Sequence, residues 1–384
     1  MPKVSPEIIT WARETAGLSL EDAARAIGLT GQHASERLAE MERGEREPTR
    51  RQLGEMAKKY RRPLLTFYLP ARPKPGRPTH DFRTLHEREA GGEAVLDAIL
   101  RDVKARQAIV VGALEDSDHL EPLPFVGAVN LRDGPGNLAK RMEEILSFTR
   151  VEFRAARNVT EAFRALRDAC EAAGVYVILM GNLGSFHSAL SPKVFRGFAM
   201  ADEFAPFIVI NENDARSAWA FTLLHELAHI LLGASGISGY GSEEELEHTC
   251  DAAAAQFLLA ANELGGLAEH AGNIAELKEA IGEFANPRKV SRTMLAYNLW
   301  RVGVIPWASF QDLAAVFTAE REEAEENRVR SQVDYYVVRR HRIGRALIQL
   351  VNRMVADGVL SSTSAGRVLG VKPTAVGRMT EGAA

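Results

Sequence analysis

Only two cysteines, Cys170 and Cys250, occur in this 384-residue chain. Two cysteines do not make the disulfide framework of a small secreted domain, and they fit a reducing compartment. No uninterrupted apolar run reaches the ~20 residues that a membrane-spanning helix needs. No basic start is followed by an apolar stretch, so no secretory leader is visible. Positive charge is not in excess either. The formal net charge is −4, so any DNA contact must be local rather than a property of the whole chain. These absences lead to the expectation of a cytoplasmic protein without a membrane partner. What is present is 46% hydrophobic residues, enough for sizeable cores, in a length that suggests two or three domains.

The strongest signal is His225-Glu226-Leu227-Ala228-His229, inside an apolar run from Phe221 to Leu232 that reads as one buried helix. Positions i and i+4 share a helix face, so both imidazoles can face one metal ion. Glu226 projects beside them, where a carboxylate can take a proton from water. This is the H-E-x-x-H arrangement of zinc peptidases. Burying two histidines and a glutamate on one stripe is costly without a partner, and a metal is the natural one.

Catalytic zinc takes three protein ligands and keeps one position open. The third is expected downstream, beyond a loop marked by Gly233, Gly236, Gly239 and Gly241. Glu247 and Asp251 lie one turn apart in an alanine-rich segment that allows close helix approach. Glu247 is the expected ligand, and Asp251 is expected to orient a ligand histidine. Glu243, Glu244 and Glu245 compete for the ligand role but also read as a solvated acidic helix start. Cys250 reads as a small packing residue. Glu226 is the expected general base. Tyr240 or His248 is expected to steady the oxyanion, and sequence does not choose between them. Zn2+ is the expected metal, and Mn2+ or Fe2+ suits the same donors.

Residues 1–62 read as a helical bundle with a helix-turn-helix layout. Ser5-Pro6, Ser19 to Asp22, and Pro48-Thr49 mark helix starts, and Gly17, Gly28 and Gly44 mark ends. The third helix is expected to start at Thr30 or Gln32. Its DNA-reading candidates are Gln32, His33, Ser35 and Arg37. Charge is the weak link, since 12 Lys/Arg face 10 Asp/Glu in this segment, and duplex affinity comes largely from phosphate neutralisation. The basic stretch from Arg43 to Arg62 is the expected phosphate contact. Pro63, Pro70, Pro73, Pro75 and Pro78 predict an extended connector over 63–79, with Phe67-Tyr68-Leu69 docking on a neighbouring domain. Residues 63–136 read as this connector with linking helices, 137–285 as the peptidase, and 286–384 as a helical C-terminal domain. Two helices are expected over 137–172. Strands are expected at 174–180, 195–200 and 207–211, and an edge strand of such a sheet can hold an extended substrate.

The run Arg196-Gly-Phe-Ala, then Ala205-Pro-Phe-Ile-Val-Ile-Asn211, then His225 to His229, then Glu247 with Cys250-Asp251, resembles the ImmA/IrrE family of metallopeptidases. Arg62 to Pro70 and Asp81-Phe82-Arg83 resemble its longer members, which carry an N-terminal helix-turn-helix of the Cro/repressor class. Ala260 departs from the pattern, where proline is frequent. The resemblance implies an α+β, predominantly α-helical fold with a gluzincin-like core and a small β-sheet. It also implies a zinc endopeptidase that cuts a regulatory protein, a repressor or antitoxin-like partner, and so controls transcription or a stress response. The alternative is a DNA-binding regulator or antitoxin whose peptidase-like domain senses or binds a partner.

Overall fold

The computed structural model describes residues 4–73, 92–183, 188–233, 243–326 and 334–381. The chain forms two compact units, Met1–Asp102 with Asn182–Val194, and Val103–Gly181 with Phe195–Ala384. The tripeptide at 81–83, His187 and Tyr240 lie outside the described residues.

In the first unit, α1 (Pro6–Glu14), α2 (Leu20–Ala26), α3 (Ala34–Arg43) and α4 (Arg50–Lys59) surround one core. The Ser19 hydroxyl accepts from the Asp22 amide, and Thr49 closes a capping box with Gln52. Both caps satisfy amides that a helix start leaves bare. Ile8, Ile9 and Ala12 are buried with Leu38, Met41, Leu53, Met56 and Tyr60. Arg13 Nε donates to Glu42 Oε1 at 2.6 Å and ties α1 to α3. The third helix starts at Ala34, later than the sequence predicts. Gly31 sits at φ +94°, outside helical space. Residues 27–33 therefore separate α2 from α3, where a helix-turn-helix usually has a turn of about three or four residues. The connector differs from expectation in its local conformation. Leu64–Tyr68 is a 3-10 helix where an extended segment is predicted, while Phe67 docks as expected, fully buried in the core of the bundle that precedes the connector. The Phe67 carbonyl accepts from the Ser5 amide, which closes the bundle. A long helix, α5 (Glu93–Asp116), begins in this unit and continues into the second.

The second unit opens with α6 (Gly134–Leu146), α7 (Arg150–Ala155) and α8 (Val159–Ala172). Three helices stand where two are predicted, because Thr149 and Glu152 form a capping box that starts α7. Then come β1 (Tyr176–Leu179), β2 (Gly197–Met200) and β3 (Phe207–Ile210). The sheet order is β1-β3-β2, with β1 parallel and β2 antiparallel to β3. All four residues of central β3 are buried, as a strand covered on both faces requires. Next come α9 (Arg216–Leu231) and α10 (Glu243–Leu258), and both pack with α6. The small side chains Ala253 and Ala254 are buried on α10 and permit this approach. Then follow α11 (Gly265–Ala268), α12 (Ile274–Arg288), α13 (Arg292–Arg301) and α14 (Trp307–Glu326). Ser291 caps α13 as its sequence predicts. The fold is predominantly α-helical with one small sheet among the described residues.

The last helices are α15 (Tyr335–Ile343), α16 (Arg345–Ala356), α17 (Ser362–Leu369) and α18 (Val376–Thr380). They reach α8 and β1 through a buried ion pair. Arg167 Nε donates to Glu171 Oε1 at 2.9 Å, and both side chains are almost wholly enclosed. Arg167 also donates to the carbonyls of His341, at 2.6 Å, and Val177. The Ala346 amide at the start of α16 donates to Glu171 Oε2 at 2.8 Å. Gly344, at φ +91°, faces this pair with no space for a side chain. No helix among the described residues is long and apolar enough to cross a membrane.

Candidate metal centre

The site grows from two facing helices. On α9, Leu223, Leu224, Leu227, Ile230 and Leu231 are fully buried, which fixes the helix in the core. That anchoring leaves His225 and His229, one turn apart, half-buried on the face toward α10. Their Nε2 atoms lie 3.1 Å apart. From α10, Glu247 Oε2 reaches His225 Nε2 at 3.2 Å and Oε1 reaches His229 Nε2 at 3.3 Å. Asp251 Oδ1 lies 2.9 Å from His225 Nδ1. Engaging Nδ1 this way leaves Nε2 as the free donor atom, the arrangement that orients a ligand histidine.

The spacing suits a metal. Ligands about 2.0–2.2 Å from a tetrahedral ion are separated from each other by about 3.3–3.5 Å. One ligand atom from each of His225, His229 and Glu247 falls within a common 4.8 Å. Two imidazoles and a carboxylate form a borderline donor set that matches zinc, and manganese or iron as well.

Electrostatics bind the group together. Burial disfavours charge on His225, yet the bonds to Asp251 and Glu247 outweigh it and raise its pKa well above the ordinary histidine value. Burial also works against ionisation of Glu247, but His225 and His229 hold its carboxyl well below the usual range. Glu226 is buried, and burial pushes its carboxyl up, with the neighbouring histidines pulling the other way. A carboxylate with a raised pKa is suited to accept a proton and return it.

Strand β2 supports that base. Its Gly197 backbone lies so close to α9 that a Cβ there would be 2.5 Å from Thr222 Cγ2 and 3.0 Å from Glu226 Oε1. The Ala199 backbone hydrogen-bonds the Glu226 carboxylate. Asn211 pins the strand entrance, donating from Nδ2 to the Phe195 carbonyl at 3.0 Å. Gly197 and Ala199 entered the sequence reading only as part of the Arg196-Gly-Phe-Ala run and of an expected strand, without a role at the site. A glycine inside a strand pattern was the available signal, since it marks close approach by another element. Tyr297 on α13 was missed too. Its hydroxyl pKa is raised by burial and by Asp251, to which it hydrogen-bonds, and no spacing rule links residues that far apart.

The other predicted residues fall elsewhere. His248 is exposed on α10, 3.9 Å from Glu244 of the preceding turn. Glu244 and Glu245 are exposed, in keeping with a solvated helix start. Cys250 is fully buried among apolar residues. In the first unit, Gln32 and His33 precede α3, and Ser35 and Arg37 lie in its first turn. His33 Nδ1 is 2.9 Å from Glu36, and Arg37 donates to the backbone carbonyls of Thr30 and His33.

A His-Glu-x-x-His helix, a glutamate from the next helix and a short sheet alongside define a metallopeptidase-type domain. Residues 170–299, from α8 to α13, match the model of the peptidase M78 family, described as the IrrE N-terminal-like domain. Neither the curated proteins nor the solved structures gave a match.

Proposed function

We propose that this protein is a zinc-dependent endopeptidase that cuts a regulatory protein, of the repressor or antitoxin-like kind. The observation that carries this reading is the convergence of His225, His229 and Glu247 beside a buried Glu226. His225, His229 and Glu247 would hold the ion. Bound zinc would polarise the scissile carbonyl and ease deprotonation of the attacking water. Glu226 accepts that proton and delivers it to the leaving amine. Asp251 keeps His225 in the tautomer that presents Nε2. Strand β2, the sheet edge beside Glu226, is the place where an extended polypeptide would align.

A pure binding module has no use for a buried carboxylate next to two histidines. Two of the four candidate base-reading residues, His33 and Arg37, are also engaged locally, so the reading rests on the peptidase domain. Glu226→Gln is the test. The variant is expected to retain stoichiometric zinc by metal analysis and to lose cleavage by roughly a hundredfold or more, the scale of general-base catalysis. Native-rate cleavage by the purified variant would remove Glu226 from the mechanism. A substrate screen by co-expression, scored for cleavage that depends on Glu226, identifies the protein that is cut.

A further inference from the structure

After the acidic run that ends α14, the charge of the chain reverses. Residues 327–384 hold 10 Lys/Arg against 3 Asp/Glu, a net of +7 in a chain whose total is −4. Such an asymmetry points to a polyanionic partner. Asp334, one of the three acids, is engaged in capping α15, where it accepts from the Tyr336 and Val337 amides. The last helices also have the layout that suits one polyanion. α17 ends at Leu369, and Gly370 turns the chain in left-handed space at φ 62°. Helical backbone resumes at Pro373, in a 3-10 turn (Pro373–Ala375) that runs into α18. Three residues therefore separate the helices, the length of a DNA-reading turn. In the first unit, residues 27–33 separate α2 from α3.

Gly366 permits the close crossing of the two helices. A Cβ there would lie 2.8 Å from the Val371 carbonyl oxygen and 3.2 Å from Pro373 N. Ala365, Leu369, Val376 and Met379 are buried where α16, α17 and α18 pack together. That burial turns the opposite face outward. Lys372, Thr374, Gly377 and Arg378 are exposed. Positions 374, 377 and 378 are three and four apart, so they lie on one side of the helix. Nothing lies within 4 Å of a Cβ built at Gly377, which leaves the backbone open to close approach. Two arginines of α15 join this region by direct contact. Arg340 Nη1 donates to the Arg378 carbonyl at 2.9 Å, and Arg339 Nε donates to the Leu369 carbonyl at 3.0 Å, beside the turn. The Arg378 guanidinium lies 4.4 Å over the Tyr336 ring, which steadies it without removing its charge. Glu381 is the acid at the end of this face.

We propose that the helical segment 373–380 enters the major groove of duplex DNA, which admits a helix. Thr374, Gly377 and Arg378 face the base edges, and Lys372 and Arg340 face the phosphates. This puts the DNA contact in the last helices rather than in the first unit. It involves none of the residues proposed for peptide hydrolysis, so each reading stands or falls without the other. The test is fluorescence anisotropy of the full-length protein with a labelled random-sequence duplex, from about 50 to 200 mM salt. Wild type is expected to bind, with log affinity falling by about 0.9 per log unit of salt for each phosphate neutralised. Lys372→Gln and Arg378→Gln are each expected to weaken binding and to reduce that slope by about one. Arg37→Gln in the first unit is expected to leave the slope unchanged. If Arg378→Gln loses its seat on Tyr336 and folds poorly, the exposed Lys372→Gln still decides the matter. Absence of duplex binding by wild type overturns the proposal, as does an unchanged slope in Lys372→Gln or a loss confined to Arg37→Gln. So does binding to phosphatidylserine vesicles without binding to the duplex, since the basic face would then be a membrane contact.

Discussion

Replacing Gly197 by alanine probes the link between the sheet and the base. The added Cβ would lie 2.5 Å from Thr222 Cγ2, 3.0 Å from Glu226 Oε1 and 3.1 Å from Glu226 Cγ. Ordinary contact begins at 3.4 Å, so either the strand or the helix must yield by roughly 0.9 Å if rigid spheres meet. Thr222 is buried on a helix locked into the core and has little room to retreat. Overpacking of this kind costs about 1–3 kcal/mol. At about 2–4 °C per kcal/mol for a unit of this size, Tm should fall by roughly 2–12 °C. The catalytic effect should be larger, because a displacement near 1 Å from productive geometry costs about a hundredfold in rate. Thermal unfolding, zinc content and hydrolysis of a quenched peptide library measure the three effects. Zinc content is expected to hold, since no ligand touches Gly197. Adding Thr222→Ser removes the struck methyl and should recover Tm more than rate, because the clash with Glu226 stays. A Gly197→Ala protein with unchanged Tm and activity within twofold of wild type would refute the claimed closeness of β2 to the base.

Two other perturbations test the surroundings. Asp251→Asn weakens the acceptor on His225 Nδ1 and should loosen zinc by about 10- to 100-fold in chelator competition. Glu263 is a pH probe of the fold. Burial opposes its charge, but Arg154, the Ala260 amide and Arg288 outweigh it and bring its pKa down to about 2. Because the folded value lies below the unfolded one, the stabilisation is fully present above about pH 4.5 and disappears as pH falls toward 2. Glu263→Gln should therefore lower Tm at neutral pH, and the gap to wild type should close on acidification.

The candidate metal centre was legible because helical periodicity maps sequence spacing onto space with little ambiguity. His225 and His229 share a face by arithmetic alone, and the same arithmetic paired Glu247 with Asp251. The caps at Ser19, Thr49 and Ser291 were readable for the same reason, since their partners are three residues away. Local chemistry that was overlooked produced the error at α7, whose Thr149 and Glu152 make an equally readable box. Non-local closeness is a different matter. Nothing in the sequence places Gly197 on Thr222, or Tyr297 by Asp251, because each depends on how a strand or helix docks. Phe67 read as an apolar residue that must dock, and the shape of the first bundle's core decided where. Arg167 and Glu171, one helical turn apart, carry no sequence mark of burial, because their closing bonds come from residues about 175 positions away.

That pair sets a limit on how the chain can be cut. The family match ends at residue 299, which invites a shorter catalytic fragment. Removing residues 334–381 would take away the His341 carbonyl and the Ala346 amide that complete the Arg167–Glu171 pair. Two charges embedded in the domain would then lose their closing bonds, and the apolar floor under β1 would open to water. The unit that folds around the candidate site is therefore larger than the matched segment, and its last helices serve as a keystone rather than as an appendage.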